Sequence, residues 1–317
     1  METKIKIGIS ACLTGANVRY NGGHSRDPYI MDTLGRYLDF VPICPESECG
    51  LGTPREAMRL VGDPARPRLI TIRSKRDLTE QMHTWAARRV QEMEKENLCG
   101  FIFKSRSPSS GMERVKVYSM EPDKSPQTVG VGLFARAFMD HFPLLPVEDE
   151  GRLHDLGLRE LFITRIFVYQ RWRQLLTAGR TRGGLVTFHT RHKLLFLAHN
   201  EKLYRRMGQL VADPSFSSKE TFQHYEKLMM TALSLKSTPA KNTNVLLHMM
   251  GYFKKQLSAD EKQELLEIID QYRNGHVPLI VPISLVNHYV RKYGQPYLAD
   301  QYYLAPHPLE LKLRNHA

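Results

Sequence analysis

The segment from Asp39 to Gly52 limits most strongly what this chain can fold into. It begins as a short apolar strand pattern and ends in Gly50 and Gly52, which with Pro54 just beyond them disfavour regular structure. Between the strand pattern and the glycines lie Cys44 and Cys49, with two glutamates among the four residues that separate them. In α/β proteins, the loop directly after a strand end is where binding and catalytic residues concentrate. The alternative is that both thiols only pack inside a tight loop.

The rest of the first half alternates between strand and helix patterns. This alternation predicts a three-layer α/β domain over residues 1–147, built on a mostly parallel sheet. Apolar runs predict strands at 4–10, 39–43, 67–72, 99–104 and 115–118. Helical spacing predicts helices at 28–37, 54–60, 77–97 and 130–142.

The acidic segment Val147–Gly151 is predicted to be a hinge between two domains. After it, strand patterns nearly vanish, which predicts an all-α domain over 151–317. The helical stretches are 153–177, 187–212, 217–235, 241–257, 259–274 and 283–293.

The chain has four cysteines in 317 residues, too few for a disulfide scaffold. Its amino terminus has no signal-peptide pattern, and no apolar run approaches the roughly 18 residues that span a membrane. We therefore expect a cytoplasmic protein with reduced thiols and no membrane partner. Reduced thiols in such a chain direct attention to metal binding or catalysis.

Three loops with reactive side chains each follow a predicted strand. Cys12 lies just past the carboxyl end of the first strand, Cys44 and Cys49 follow the second, and the hydroxyl-rich loop Ser105–Gly111 follows a later one. Because the carboxyl ends of parallel strands share one edge of a sheet, these loops should converge on one pocket. Cys99 begins its strand, so we expect it at the opposite edge, buried in the core.

Three converging thiols indicate zinc, an iron–sulfur cluster or a redox pair. A structural zinc site usually needs a second close Cys or His pair, and a redox site usually has the spacing Cys-x-x-Cys; both are absent. Three thiolates with one open position suit a [4Fe–4S] cluster whose fourth iron faces a substrate. Zinc and a redox pair stay as alternatives on the residues alone.

Charged residues are distributed unequally between the two halves of the chain. Residues 1–150 have 21 Lys and Arg against 20 Asp and Glu, whereas residues 151–317 have 24 against 13. The net charges are therefore +1 and +11. This asymmetry predicts that the first half performs chemistry and the second half binds a polyanion.

Motifs in the first half resemble those of the thiouracil desulfidase family. They are Ile9–Gly15 with Val18–Gly22, then Cys44-Pro45-Glu46, then Lys104–Gly111. The resemblance implies a [4Fe–4S] cluster on three cysteines and hydrolytic removal of sulfur from a thiolated pyrimidine. It implies two cluster ligands, Cys12 and Cys44. Short family members have their third cysteine where this chain has Ser110, so we infer that Cys49 replaces it as the third metal ligand.

The same resemblance suggests roles for the residues around the predicted cluster. Glu46 is predicted to be the general base that activates water. Ser107 is predicted to orient the substrate or relay a proton, with Ser105, Ser109 and Lys104 as further helpers. The open iron would act as a Lewis acid on the thiocarbonyl sulfur.

The second half resembles a helical domain of unknown function that is fused to such desulfidases. The matching stretches are Phe188–Lys193, Lys241–Asn244 with His248, and Asn287–Tyr293. The fused form resembles desulfidases that act on 4-thiouridine in tRNA, which implies a tRNA partner and a role in tRNA modification; we expect no DNA partner. The predicted phosphate-binding residues are Arg191, Lys193, Arg205, Arg206, Lys254, Lys255, Arg291 and Lys292. The predicted base-stacking residues are Tyr289, Tyr293, Tyr297, Tyr302 and Tyr303.

Two further possibilities are weighed against these predictions. His189, His192 and His199 share a helical face, but they have no acidic or thiol partner beside them, which favours RNA contact or helix packing over a metal site. The rival function is a non-catalytic iron–sulfur RNA-binding regulator that senses oxidants through loss of its cluster. Glu46 and an open coordination position favour the enzyme, because a sensor needs neither.

Overall fold

The computed structural model describes residues 4–121, 124–214 and 217–316, and it divides into two compact units between Leu158 and Arg159. The first unit combines two sheets with helices, and the second is helical. The predicted fold class, an α/β domain followed by an all-α domain, is confirmed.

The first sheet, sheet A, has the strand order β2-β1-β5-β8, and its paired strands are all parallel. Its strands are β1 Ile5–Ser10, β2 Leu38–Ile43, β5 Phe101–Phe103 and β8 Val147–Asp149. The central strands β1 and β5 are almost wholly buried, as expected for a parallel sheet covered on both faces. The carboxyl ends of all four strands therefore lie at one edge.

A second sheet, sheet B, has the order β4-β3-β6-β7 and mixes parallel and antiparallel pairs. Its strands are β3 Met58–Val61, β4 Arg68–Thr71, β6 Val115–Tyr118 and β7 Gln127–Gly130. The sequence predicted β4 and β6 but placed all strands in one sheet. The short polar strand β7 and the strand β3 were missed.

The helices of the first unit are α1 Pro45–Glu48, α2 Thr79–Met93 and α3 Leu133–His141. The apolar side chains on the inner face of α2 are buried, and Trp85 on this face packs on Phe134 of α3 with ring centroids 5.3 Å apart. Phe134 and Phe138 in turn pack on Phe101 of β5, with centroids 5.9 and 4.8 Å apart. This aromatic core fixes α3 against sheet A.

Three local predictions in the first unit are wrong. The helix predicted at 54–60 is a loop followed by strand β3, because β3 pairs with strands on both sides. The segment Cys44–Cys49, predicted as a loop, contains the short helix α1, which has a proline at its first position. The predicted hinge Val147–Gly151 is mostly strand β8, in which Glu148 and Asp149 are buried at the edge of sheet A.

The helices of the second unit follow the predicted pattern closely. They are α4 Leu156–Ala178, which begins in the first unit, α5 Arg182–His199, α6 Glu201–Ala212, α7 Ser218–Ser234, α8 Pro239–Met250, α9 Ala259–Arg273, α10 Ile280–Lys292 and α11 Pro296–Ala299. The single helix predicted at 187–212 is two helices, α5 and α6. Asn200 separates them because it leaves helical geometry and its side chain accepts a hydrogen bond from the Leu203 N–H, which caps α6.

Among the helices in the described ranges, none combines the length and apolarity that crossing a membrane requires.

Candidate active site

The carboxyl-terminal edge of sheet A opens into a cavity of about 1060 Å³. Cys12 after β1, Cys44 after β2, Ser107 after β5 and Asp149 at the end of β8 all line it. The predicted convergence of strand-end loops on one pocket is therefore confirmed. Sheet B supplies another part of the wall.

Glu46 lies in the first turn of α1 and lines this cavity. Its Oε1 accepts a short hydrogen bond from Ser109 Oγ, and its Oε2 accepts one from the Cys44 thiol at 3.4 Å. The Arg55 guanidinium lies 3.6 Å from the same Oε2, and the side chains of Glu46 and Arg55 are only 13% and 8% exposed. Glu46 is thus a largely enclosed carboxylate held between a thiol, a hydroxyl and a cation. The sequence prediction did not include Arg55.

Two serines form a hydrogen-bonded chain that ends at Glu46. Ser109 is fully buried, and its Oγ lies 3.0 Å from Ser107 Oγ, which lines the cavity. Ser107 Oγ also accepts hydrogen bonds from the backbone N–H groups of Ser109 and Ser110, at 3.3 and 3.1 Å. The hydroxyls therefore form a chain from the cavity through Ser107 and Ser109 to Glu46. Ser109, predicted only as a helper, is the serine that touches Glu46.

The loop that carries these serines is attached to the beginning of α3. The Phe134 and Ala135 N–H groups donate to the Ser109 carbonyl at 2.9 and 3.1 Å, and the Leu133 N–H donates to the Pro108 carbonyl at 3.2 Å. Gly132 lies so close to this loop that a Cβ there would be 2.5 Å from the Ser109 carbonyl oxygen. A side chain at position 132 would therefore displace Ser109.

Lys104 and Ser105 form a separate cluster with Glu150. Lys104 Nζ makes a short ion pair with Glu150 Oε1, and Ser105 donates to the same carboxylate from its N–H and from its Oγ, both at 2.7 Å. The Lys104 N–H donates to Ser10 Oγ at 2.8 Å, which ties the end of β5 to the end of β1. Glu150 thus neutralises Lys104 and holds the start of the serine loop.

Two of the three predicted ligand thiols, Cys12 and Cys44, line the cavity, whereas Cys49 does not. Burial raises the pKa of Cys12 to about 11, against an opposing effect of Lys104. Burial and then the charge of Glu46 raise the pKa values of Cys44 and Cys49, the latter to about 11. The Cys49 thiol donates to the Glu46 carbonyl at 3.4 Å.

Ser110, the position of the third cysteine in short family members, is buried and lines the cavity. Cys99 is fully buried, and its N–H donates to the Lys6 carbonyl on β1, so the prediction of a core cysteine is confirmed. Within the described ranges, no three His, Cys, Asp or Glu side chains are grouped so as to hold a single metal ion.

In the second unit, the predicted phosphate-binding residues fall into three groups. Arg206, Lys254, Lys255 and Arg291 are exposed. Arg205 and Lys292 each form an ion pair at 2.6 Å, with Glu201 and Glu261. Arg191 and Lys193 are partly exposed and stack over aromatic rings, 4.9 Å from the centroid of Tyr302 and 4.7 Å from that of Tyr297.

The prediction of base-stacking tyrosines is wrong for Tyr289 and Tyr303, which are 2% and 0% exposed. Their hydroxyls bond inside the unit, to Glu264 and Asn242. Tyr293, Tyr297 and Tyr302 are partly exposed. Tyr252, which the sequence did not single out for stacking, is 37% exposed and stacks on Tyr297 with centroids 4.8 Å apart.

The three histidines of α5 are buried, which supports helix packing as their role. Nδ1 of His189 bonds to the Tyr225 hydroxyl at 3.0 Å, and those of His192 and His199 bond to backbone carbonyls. Burial lowers the pKa of His189 and of His199 to about 4 and lowers that of His192 well below its usual range. All three are neutral in the folded protein at pH 7.

Comparisons with known proteins relate the two halves of the chain to two families. Residues 7–150 match the family described as 2-thiouracil desulfurase, and residues 193–308 match a domain of unknown function, DUF1722. The chain is 36% identical over 155 residues to the uncharacterized Escherichia coli protein YbgA, covering 48% of this chain and 92% of YbgA. It is 32% identical over 108 residues to the uncharacterized Bacillus subtilis protein YbbK, covering 32% of this chain and 71% of YbbK.

A solved structure titled [4Fe–4S]-dependent thiouracil desulfidase TudS is 27% identical to the chain, with a TM-score of 0.40, and the match covers 49% of this chain and 97% of TudS. On these matches, the chain has a domain of the 2-thiouracil desulfurase family over residues 7–150, followed by a DUF1722 domain over residues 193–308.

Proposed function

We propose that the protein is a [4Fe–4S]-dependent desulfidase that removes sulfur from 4-thiouridine in tRNA, giving uridine and sulfide. Membership of the 2-thiouracil desulfurase family supports the reaction class. The observation that carries the proposal is the position of Glu46, an enclosed carboxylate at the cavity wall between the Cys44 thiol and the hydroxyl of Ser109.

The donor chemistry of the chain fits an iron–sulfur cluster. Cys12 and Cys44 line the same cavity, and Cys44 and Cys49 both contact Glu46, the Cys44 thiol at Oε2 and the Cys49 thiol at the backbone carbonyl, each at 3.4 Å. A [4Fe–4S] cluster binds each thiolate on a different iron, so its ligands stand farther apart than those of a single ion. Cys12, Cys44 and Cys49 would hold the cluster, which would supply a Lewis acid for the thiocarbonyl sulfur.

The reaction that we propose is a hydrolysis and needs no oxidant or reductant. The oxygen of water forms the new C–O bond at the ring carbon, the C–S bond breaks, and the sulfur leaves as hydrogen sulfide. Glu46 would take a proton from the attacking water, which makes the oxygen a better nucleophile. Arg55, 3.6 Å from Oε2, pairs with this carboxylate and holds it at the cavity wall.

Ser107 and Ser109 would connect the substrate to that base. Ser107 lines the cavity and Ser109 donates to Glu46, so a proton taken up by Glu46 has a hydrogen-bonded route back toward the leaving group. Ser107 is also fixed by two backbone N–H groups, which suits a residue that orients a substrate.

The tRNA part of the proposal depends on the second half of the chain. Its net charge of +11 and the exposed positions of Arg206, Lys254, Lys255 and Arg291 support binding to a polyanion. The partly exposed stack of Tyr252 on Tyr297, with Lys193 over the second ring, offers an aromatic surface for a base.

The test is anaerobic purification of the full chain, iron and sulfide assays, and incubation with tRNA that contains 4-thiouridine. We expect iron and inorganic sulfide in the purified protein, release of sulfide on incubation, and loss of 4-thiouridine from the hydrolysed tRNA. The control is tRNA that lacks the thiolated base. A protein that contains the cluster and binds tRNA but releases no sulfide would instead support the non-catalytic regulator.

A further inference from the structure

The short turn after α8 exposes one aromatic side chain and buries the next. Residues Gly251–Phe253 form this turn. Tyr252 is 37% exposed, whereas Phe253 is fully buried and packs on Tyr289 and Tyr293, with ring centroids 6.2 and 6.3 Å apart. Phe253 therefore anchors the turn in the core of the second unit, and Tyr252 lies at the surface.

Hydrogen bonds also hold this turn against the residue that precedes α11. Gln295 Nε2 donates to the Tyr252 carbonyl at 3.2 Å and to Gln256 Oε1 at 2.8 Å. Gln256 Nε2 in turn donates to the Tyr293 carbonyl at 3.3 Å. An exposed side chain on an unconstrained loop loses conformational freedom when it binds a ligand. These hydrogen bonds reduce that cost in advance for Tyr252.

Tyr252 and Tyr297 form a stacked pair, which we call the aromatic platform. Their ring centroids are 4.8 Å apart, and their planes are inclined by 21°. Lys193 Nζ lies 4.7 Å from the centroid of Tyr297, and His248 meets Tyr252 edge-on with centroids 5.8 Å apart. The Tyr252 ring is therefore supported by Tyr297 and still accessible to solvent. A supported and accessible ring suits the stacking of a further planar group.

The charges around the aromatic platform favour a nucleotide over an apolar peptide as that planar group. Lys254 and Lys255 follow Tyr252 closely in the chain, and both are exposed. The second half of the chain has a net charge of +11. Cations beside an aromatic ring bind the phosphates of a nucleic-acid strand while a base stacks on the ring. An apolar peptide would make no use of these charges.

The structure of RNA decides which nucleotide can reach the aromatic platform. In a double helix each base is stacked between its neighbours, so only an unpaired base in a loop or at an end exposes a face. We propose that Tyr252, supported by Tyr297, stacks on the base of one unpaired nucleotide, so that this site recognises single-stranded or looped RNA and not a duplex. This inference rests on the tRNA part of the proposed function and names the kind of tRNA segment that the second unit contacts.

The test measures binding of three RNA probes to the full chain by fluorescence anisotropy. The probes are a short oligouridylate, an abasic strand of the same length and a duplex of the same length. The oligouridylate and the abasic strand have the same phosphates and differ only in the bases. Because stacking of one base on an aromatic side chain changes affinity by about 5- to 150-fold, the oligouridylate should bind more tightly than the abasic strand by that factor.

The variant Tyr252→Ala removes the exposed ring, and Tyr252→Phe keeps the ring without its hydroxyl. Tyr252→Ala should lose the advantage of the oligouridylate over the abasic strand and leave the affinities for the abasic strand and the duplex unchanged. The log–log dependence of affinity on salt should keep its slope, because no phosphate contact is removed. Tyr252→Phe should keep the advantage. The matched control Leu309→Ala should keep it too, since it removes another exposed apolar side chain of the same unit.

Equal binding of the oligouridylate and the abasic strand would overturn the inference. A Tyr252→Ala variant that keeps the advantage would overturn it as well, and so would one that weakens all three probes alike, because that result indicates a structural role. Whole tRNA separates this inference from the proposed function. Salt-dependent tRNA binding that Tyr252→Ala leaves unchanged would keep the tRNA partner and remove the stacking site. Desulfidation of free 4-thiouracil without binding of any RNA probe would keep the reaction and remove both the stacking site and the tRNA partner.

Discussion

The change Glu46→Gln tests the proposed base most directly, because it keeps the length of the side chain and removes its charge. A glutamine Oε1 can still accept the hydrogen bond from Ser109, so the serine loop should stay in place. The amide NH₂ cannot accept from the Cys44 thiol, and it cannot pair with Arg55. Arg55 keeps its hydrogen bonds to the Gly52 carbonyl and to Thr53 Oγ1, at 2.9 and 3.2 Å.

Stability and turnover should therefore respond by different amounts. Loss of the enclosed ion pair should lower the free energy of unfolding by about 1–3 kcal/mol. Loss of a general base should lower kcat on the order of 10²–10⁴-fold, which corresponds to about 3–5 kcal/mol of transition-state stabilisation. Cluster content should persist, because glutamate is not one of the three predicted ligands.

The assay compares kcat at equal iron per chain, on thiolated tRNA and on free 4-thiouracil, together with thermal unfolding. Glu48→Gln is the matched control, since it makes the same exchange on the same helix at a residue outside the cavity lining, where Glu48 accepts from the Cys44 N–H at 3.0 Å. It should change kcat less than about tenfold. A Glu46→Gln protein with normal iron and nearly normal kcat would refute the assignment of the base.

Three further predictions concern the cluster, the tRNA and the pH dependence of stability. Replacing any of the three predicted ligand thiols by alanine should remove the brown iron–sulfur absorbance, while Cys99→Ala should keep it. In a chain with Cys49→Ser, the added change Ser110→Cys should restore the absorbance. Absorbance that survives Cys49→Ser alone would exclude the Cys49 thiol as a ligand. Replacing Lys254 and Lys255 by glutamine should flatten the log–log dependence of tRNA affinity on salt by about one to two units, measured by filter binding of the full chain, and an unchanged slope would remove this face from the RNA contact. Because burial lowers the pKa of His199 to about 4, the unfolded chain binds more protons than the folded chain below about pH 6.5. This residue should therefore lower the free energy of unfolding by roughly 3 kcal/mol between about pH 6.5 and about pH 4. In melting curves against pH, His199→Gln should reduce this fall, and an equal fall in that variant would contradict the assignment.

The sequence predicted those parts of the fold that depend on local patterns. The apolar runs of β1, β2 and β5 and the helical spacing of α2 are strong periodic signals, and each was found within a few residues of its predicted bounds. Strand β3 was taken for a helix because its pattern is short and is surrounded by charged residues. Its strand geometry comes from pairing with β4 and β6, which no local pattern reveals.

The sequence predicted which loops form the site but not which side chains contact each other there. Parallel strands must bring the loops after β1, β2 and β5 together, so Cys12, Cys44 and the serine loop could be placed in one pocket. Which serine touches Glu46 depends on how α3 holds the loop, and that contact lies far away in sequence.

Phe134 links the aromatic core to the hydrogen-bonded chain of serine hydroxyls. Its ring packs against Trp85 and Phe101, while its N–H donates to the carbonyl of Ser109 at 2.9 Å. A change of volume in that core would shift the beginning of α3 and, with it, the distance from Ser109 Oγ to Glu46. A screen for altered activity would therefore recover substitutions of aromatic core residues that do not contact the substrate. Efforts to stabilise the first unit by repacking its interior would have to hold α3 in its present register.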